Sequence, residues 1–337
     1  MPSLSTALTR QIVTHGVSNL IMKKPLALSL EITHACNCNC KHCDKGGLRP
    51  GEERAAPAHF GRVVRDLKPL VAQISGGEPL LRDDVDEVLR EIKVWGKLPV
   101  IVLVTNASLL TEERYLAFKK GGVDEFSISL DFPDKRHDEN RGLVGLYDYL
   151  SDLIPRLTAH GHDDITMITV IRKDNLADLL RCAEKALEWN AGINISAYTA
   201  LRTKDRSKSV SEPKDLAFLR KQIDALIDFK KRTGRLFTSE SVLEKYYQFF
   251  ANGSEIPNCR AGTRSMVVNP DGRLAPCAMQ PHSYDTQAEM IEDFCKSNTC
   301  GGCLVSMRAN TEKTVANMFK DGWAYFQQMR NGRNGGS

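Results

Sequence analysis

Leu28-Ser29-Leu30-Glu31-Ile32-Thr33-His34-Ala35-Cys36-Asn37-Cys38-Asn39-Cys40-Lys41-His42-Cys43 runs from a strand-like alternation straight into four cysteines within eight residues. Cys36, Cys40 and Cys43 have the spacing Cys-x3-Cys-x2-Cys. Thiolates this close on one loop can converge on an iron–sulfur cube, because soft sulfur ligands suit such clusters. Three thiolates for four irons leave one iron open to a substrate or cofactor. Zinc or a disulfide knot is the alternative for closely spaced thiols taken alone. Cys38 fits no slot in the spacing and is either a spare thiol or an alternative ligand.

The strand leading into this loop, residues 26–32, places Leu26, Leu28, Leu30 and Ile32 on one face and Ser29 and Glu31 on the other, since side chains along a strand alternate. The leucines are expected under covering helices and Glu31 toward a barrel lumen. Downstream, strand and helix signals alternate as a βα repeat requires. Strand-like runs at 71–75, 100–104, 124–130, 165–171 and 193–198 are interleaved with helical ones at 83–95, 111–121, 146–160 and 175–189. The second of these helices has Thr111 before Glu112 and Glu113 and stops at Gly121-Gly122, which is good start and stop chemistry. Pro155 is a candidate kink. Six strands with helices between them predict a partial barrel of class α/β. Residues 200–213 read as a polar loop whose basic run, 202–208, is solvated. Helices are expected at 212–233 and 239–251, and a last one at 312–330 before a Gly-rich tail.

At 337 residues the chain suits one large barrel-like domain or two smaller ones. Its 42% apolar content is ample for a core, and a dispersed net charge of +4 does not argue for nucleic acid. No apolar run reaches membrane-spanning length, and the N-terminus lacks the pattern of a signal peptide. Leu4, Leu8, Ile12, Val17, Leu20 and Ile21 have roughly helical spacing. They predict a helix packed on the barrel, or alternatively one on a membrane surface, though its cationic face is thin. Ten cysteines without an export signal argue for a reducing, cytoplasmic compartment and for metal over disulfides. Cys182, alone in a helical stretch, reads as a small buried hydrophobe.

Ser75-Gly76-Gly77-Glu78-Pro79 follows the second strand, and its glycines allow backbone to approach a ligand closely. With the cysteine loop after strand one, this motif resembles the radical SAM superfamily over about residues 26–305. The resemblance implies a partial (β/α)6 TIM-like barrel. It also implies a [4Fe-4S] cluster on Cys36, Cys40 and Cys43, with the amino and carboxylate groups of S-adenosyl-L-methionine (SAM) on the open iron. His42 stands where relatives usually place an aromatic residue near the adenine. Gly76, Gly77, Glu78 and Pro79 would approach the SAM amino group. Asn106 in Thr105-Asn106-Ala107, Ser129, Asp131, Arg172, Asn175 and Tyr198 are further cofactor-side candidates. Their common place at the C-terminal rim is where barrel chemistry sits, although polar residues are frequent at strand ends for structural reasons alone. His137-Asp138 and Arg141-Gly142 also match relatives. Ala107 replaces a family glycine, so the turn is expected to avoid positive φ there. No residue is singled out as acid or base toward substrate; Glu31, Asp131 and His137 are rim or lumen candidates.

Five more cysteines lie in 259–303. Residues 267–274 read as a β-hairpin with a Pro-Asp-Gly turn, which carries Cys259 and Cys277 toward one place. Cys300-Gly301-Gly302-Cys303 adds a Cys-x2-Cys pair. Four thiolates make a closed site, a ligand set that zinc ribbons share. Cys295 is an alternative ligand. Behind the first motif, this array resembles the Twitch domain, the shortened SPASM domain, and implies an auxiliary [4Fe-4S] cluster on Cys259, Cys277, Cys300 and Cys303. The expected organisation is a helical segment at 1–25, the barrel at 26–200, a helical linker at 201–258, a small Twitch-like cysteine-rich hairpin and helix at 259–310, and a helix and flexible tail at 311–337.

The resemblance implies reductive cleavage of SAM to methionine and a 5′-deoxyadenosyl radical, which takes a hydrogen atom from a substrate C–H bond. The auxiliary cluster would carry electrons in a net oxidation or maturation of a peptide or small metabolite. A flavodoxin- or ferredoxin-type donor is the implied redox partner. A lipid or tetrapyrrole substrate is the alternative, and Tyr198, Arg202, Tyr246, Tyr247 and Arg308, as candidate substrate contacts, do not separate these classes. The rival from another class is a non-catalytic zinc-binding scaffold, which gives Gly76-Gly77-Glu78-Pro79 no purpose. A nucleic-acid modifier would need a basic domain that the chain lacks.

Overall fold

Strand-forming and helix-forming segments alternate through the first two thirds of the chain. The computed structural model describes residues 6–93, 98–314 and 317. Helix α1 (Thr6–Ile21) is fastened to the following barrel by Asn19, whose Nδ2 donates to the carbonyls of Pro25 and Lys68, both at 2.8 Å. Then come β1 (Ala27–Thr33), α2 (Pro57–Leu67), β2 (Val71–Gly76), α3 (Val85–Ile92), β3 (Val100–Thr105), α4 (Glu112–Gly121) and β4 (Glu125–Ser129). They are followed by α5 (Arg136–Arg141), α6 (Leu146–Ala159), β5 (Ile165–Ile171), α7 (Leu179–Glu188) and β6 (Gly192–Ala197). Beyond them lie α8 (Pro213–Thr233), α9 (Glu240–Ala251), β7 (Ser265–Val268), β8 (Leu274–Ala275), α10 (Gln287–Met290) and α11 (Ser306–Thr311).

The sheet has the order β6-β5-β4-β3-β2-β1-β7-β8. β1 to β6 pair in parallel, as crossover helices demand. The α/β partial barrel expected from the sequence is present. The hairpin expected near 267–274 is also present, as β7 and β8. Its first strand joins the barrel sheet, running parallel to β1 with Ala27 opposite Ser265 and Leu30 opposite Val268. The chain leaving β1 therefore enters the first cysteine loop, while the strand beside it sits between Cys259 and Cys277. Leu28, Leu30 and Ile32 are fully buried in the core, and Cys182 is buried with them on α7.

Two local expectations, for the helices over 175–189 and 83–95, are corrected. The helix expected over 175–189 opens as a 3-10 turn at Lys173–Asp178 before α7. Asn175 causes this, because its side chain bonds backbone instead of standing clear of a helix: Oδ1 accepts from Arg172 N at 2.9 Å and Nδ2 donates to Val170 O at 2.9 Å. Pro155 lies inside α6, which continues past it to Ala159. The helix expected over 83–95 begins at Val85 and ends at Ile92. The helix and tail expected over 312–337 lie, apart from residues 312–314 and 317, outside the described residues.

Candidate functional site

The first cysteine loop is pinned from two directions. Cys36 N donates to Gly47 O at 3.0 Å, Asn39 N to Arg141 O at 2.8 Å and Lys41 N to Asn140 O at 3.0 Å. Cys36 is buried, Cys40 half-buried and Cys43 exposed. Cys38, which fits no slot in the spacing, is buried, and its N–H donates to Cys36 Sγ at 3.4 Å. The Cys38 thiol bonds both neighbouring sulfurs, which lowers Cys36 and, with help from the Arg141 guanidinium, brings Cys40 down to about 6. Arg141 also donates to Cys40 Sγ at 3.5 Å. At Cys36 and Cys40 this favours the thiolate, the form that binds metal, whereas the Cys43 thiol is raised.

The Gly-Gly-Glu-Pro segment supports that loop from beneath. Gly77 N donates to Thr33 O at 2.7 Å and Glu78 N to Ala35 O at 2.8 Å. Gly76 has φ +137°, and a Cβ there would stand 2.0 Å from Thr33 O; one at Gly77 would stand 2.1 Å from Ala35 O. The Glu78 side chain is a structural latch. It is fully buried and accepts from Leu80 N at 3.1 Å, Thr105 Oγ1 at 2.7 Å and Asn106 N at 2.8 Å. Burial pushes its carboxyl up while these bonds oppose the rise. Asn106 reaches on to the cysteine loop, donating to Asn37 Oδ1 at 2.9 Å. Pro79 is buried as the first residue of the next 3-10 turn.

The expectation that Ala107 avoids positive φ is wrong: its φ is +61°. Asn106 is committed to Asn37, and Ala107 N bonds back to Thr105 Oγ1 at 2.9 Å, so the turn closes only in the left-handed region. That conformation costs a residue with a Cβ about 1–2 kcal/mol, against about 0.5–1 kcal/mol of extra chain entropy lost by glycine. Ala107→Gly should therefore leave stability unchanged or raise it by up to about 1 kcal/mol in urea unfolding. A loss above about 1 kcal/mol would mean that the buried methyl matters more than the dihedral.

The rim candidates form one buried polar network. Asp131 is paired with Arg141 at 2.6 Å and Arg172 at 3.1 Å, and accepts from Asn140 at 2.9 Å. Burial acts to raise its carboxyl, but the Arg141 and Arg172 guanidinium groups outweigh this and hold it well below the usual range. Burial and the charges of Arg172 and Arg141 press His42 down to about 3. Its ring is thus neutral, and Nδ1 accepts from Arg172 at 3.2 Å and Asn140 at 3.4 Å. Arg172 has no exposed surface, and Asn175 Nδ2 also reaches Asp131 O at 3.2 Å. The structure thus brings His42, Asp131, Arg172 and Asn175 together. Ser129 ends β4 two positions before Asp131. Tyr198 is buried apart from the network, its hydroxyl bonded to Thr203 Oγ1 at 2.6 Å and Asp205 O at 2.9 Å. Asn140 is a member that the motif reading missed; its only signal is its place one helical turn after His137.

A cavity of about 620 Å³ opens between the cysteine loop, the loop after β6 and the segment after β8; Glu31, His34, Asp44, Arg202, Met279 and His282 are among its walls. Glu31 does face the lumen. Burial would raise its carboxyl, but the Lys45 ammonium and a bond from His34 at 2.9 Å hold it at about 2. The basic run after β6 is not wholly solvated: Arg202 pairs with Asp44 at 2.7 Å and ties that loop to the cluster loop, while Lys204 is exposed. Tyr246 is a core residue whose hydroxyl donates to Ile195 O at 3.0 Å, and Tyr247 packs beneath Arg220.

Three cysteines of the second group, Cys259, Cys277 and Cys303, border a smaller cavity of about 180 Å³ together with Arg308. Cys277, Ala278 and Met279 belong to both cavities. Cys300 is half-buried and accepts from Gln280 Nε2 at 3.7 Å. Cys295 turns instead toward Ala261 O at 3.4 Å. Burial raises the Cys259 thiol, that of Cys303 to about 11 and that of Cys277 to about 12. Among the described residues no three Cys, His, Asp or Glu side chains converge tightly enough for a single ion. No helix among the described residues is long and apolar enough to cross a membrane.

The family model described as Radical SAM superfamily matches residues 30–186. The chain is 28% identical over 275 residues to the AdoMet-dependent heme synthase of Methanosarcina barkeri, covering 76% of this chain and 78% of that one. It is 28% identical over 286 residues to a probable GTP 3′,8-cyclase of Methanothermobacter thermautotrophicus, covering 80% and 89%. Streptococcus suis SuiB bound to precursor peptide SuiA is a structural neighbour with TM-score 0.59 and 18% identity, covering 92% of this chain and 68% of that one.

Proposed function

The chain belongs to the radical SAM superfamily, and on that premise we propose that it carries a Twitch-like extension after its barrel and oxidises or matures a peptide or small polar metabolite. Cys36, Cys40 and Cys43 would hold the SAM-binding [4Fe-4S] cluster. The backbone of Gly76, Gly77, Glu78 and Pro79 would border SAM, with His42, Asn106, Ser129, Asp131, Arg172, Asn175 and Tyr198 behind or beside it. When bound, SAM and this cluster supply a radical that removes a hydrogen atom from an unactivated C–H bond. Cys259, Cys277, Cys300 and Cys303 would hold an auxiliary [4Fe-4S] cluster, which supplies an acceptor for the remaining electron.

The observation that carries this reading is the segment Cys277-Ala278-Met279, which lines both the large cavity and the small one bordered by the auxiliary cysteines. An electron leaving a substrate in the large cavity would have one wall to cross. The large cavity is bordered by charged groups such as Glu31, Asp44 and Arg202, which favours a polar substrate over a lipid or tetrapyrrole. SuiB, bound to its precursor peptide, supports the peptide class, and the heme synthase keeps the tetrapyrrole class as the second reading. A flavodoxin- or ferredoxin-type donor in the cytoplasm fits the reducing chemistry required.

A Cys277→Ala/Cys303→Ala variant tests the auxiliary site. After anaerobic reconstitution it should drop from about eight to about four irons per chain and still release 5′-deoxyadenosine. Unchanged iron, or zinc bound at the wild-type site, would refute it.

A further inference from the structure

We infer that Arg308 is the positioning residue of the auxiliary site, clamping the segments that carry Cys259 and Cys303 and raising the reduction potential of the cluster they hold. The inference rests on the auxiliary-cluster reading above. Arg308 sits on α11, five residues after Cys303, and is 4% exposed. Nη1 donates to Cys303 O, while Nη2 donates to Ile256 O at 2.9 Å and Pro257 O at 3.2 Å. Nε pairs with Glu312 at 2.9 Å, and Glu312 in turn accepts from Arg260 N at 2.5 Å. The guanidinium therefore grips the chain before Cys259 and at Cys303, and its partner Glu312 holds the chain just after Cys259. The planar fork of arginine can serve several acceptors at once, which a lysine ammonium on a flexible stem cannot do in the same geometry.

The same group borders the small cavity with Cys259, Cys277 and Cys303. A buried guanidinium is costly without compensating partners. Here one carboxylate and three carbonyls engage it beside the thiols that share its cavity. A cluster on four thiolates is anionic, and reduction adds a further negative charge. A fixed buried cation beside it favours the reduced form, since cluster potentials follow local charge and hydrogen bonding. Clamping and charge are separable: Arg308→Lys keeps the charge and loses the fork, and Arg308→Gln loses the charge.

The test uses the full chain carrying Cys36/Cys40/Cys43→Ala, so that only the auxiliary site is loaded. Iron is counted after anaerobic reconstitution, and the cluster is titrated with reductant under EPR. The parent should hold about four irons. Arg308→Gln should hold less iron, and its remaining cluster should titrate at lower potential. Arg308→Lys should also lose iron but titrate near the parent. If Arg308→Gln holds too little cluster to titrate, Arg308→Lys decides: a cluster at the parent potential supports the proposal, and a cluster at a clearly lower potential overturns the electrostatic role. Full loading of Arg308→Gln at the parent potential overturns the proposal, as do equal potential shifts in both variants. A parent without iron instead overturns the auxiliary-cluster reading, and this proposal with it.

Discussion

Gly77→Ala should destabilise the chain by about 2–6 kcal/mol and abolish SAM cleavage. The added Cβ would lie 2.1 Å from Ala35 O and 2.6 Å from His34 O. Both are backbone atoms immediately before Cys36, so no side-chain rotation makes room. Relief requires pulling the two segments apart, which breaks Gly77 N to Thr33 O and Glu78 N to Ala35 O. Overpacking contributes about 1–3 kcal/mol and each lost bond about 0.5–1.5 kcal/mol. Cys36 moves with Ala35, so the reconstituted variant should also lose the iron of the first site. Gly121→Ala is the control, because nothing lies within 4 Å of its added Cβ. Urea unfolding and iron content of the two variants check the expectation, and wild-type behaviour of Gly77→Ala would refute it.

Asp131→Ala should cost about 3–5 kcal/mol, the usual loss when one member of a buried ionic group is removed. Arg172 and Arg141 would be left as buried guanidinium groups that have lost their shared carboxylate. The pH dependence has a definite sign. Asp131 titrates well below its usual range in the folded chain, so its contribution is present above the unfolded value of about 3.9 and is lost as pH falls below it. Urea midpoints measured from pH 7 down to 3 should decline in acid for the wild type and decline less for Asp131→Asn. A loss below about 1 kcal/mol for Asp131→Ala would show that solvent reaches the network.

Much of this was legible in local sequence. The alternation of Leu28, Leu30 and Ile32 gave β1, and the run 165–171 coincides with β5. The hairpin signal at Pro270-Asp271-Gly272 held because a turn is written in adjacent residues. What escaped is long-range. No local pattern announces that β7 lies parallel to β1, or that Arg202 reaches Asp44 across 158 positions. Ala107 misled because a side-chain web around Asn106 forces the turn against the residue's own preference. Asp131, Arg172 and Asn175 were visible as rim candidates, but their bonds to one another depend on where two separate strands end. Arg308 was read as a candidate substrate contact, since a sequence cannot tell an exposed arginine from one engaged by three carbonyls.

The central claim is two clusters with SAM cleavage at the first. Wild type and Cys36/Cys40/Cys43→Ala should be reconstituted anaerobically, analysed for iron and zinc, and assayed for 5′-deoxyadenosine with SAM and reductant. About eight irons and released nucleoside for the wild type, against about four irons and none for the triple variant, is the result this account predicts. Bound zinc in place of iron, with no nucleoside formed, would contradict it.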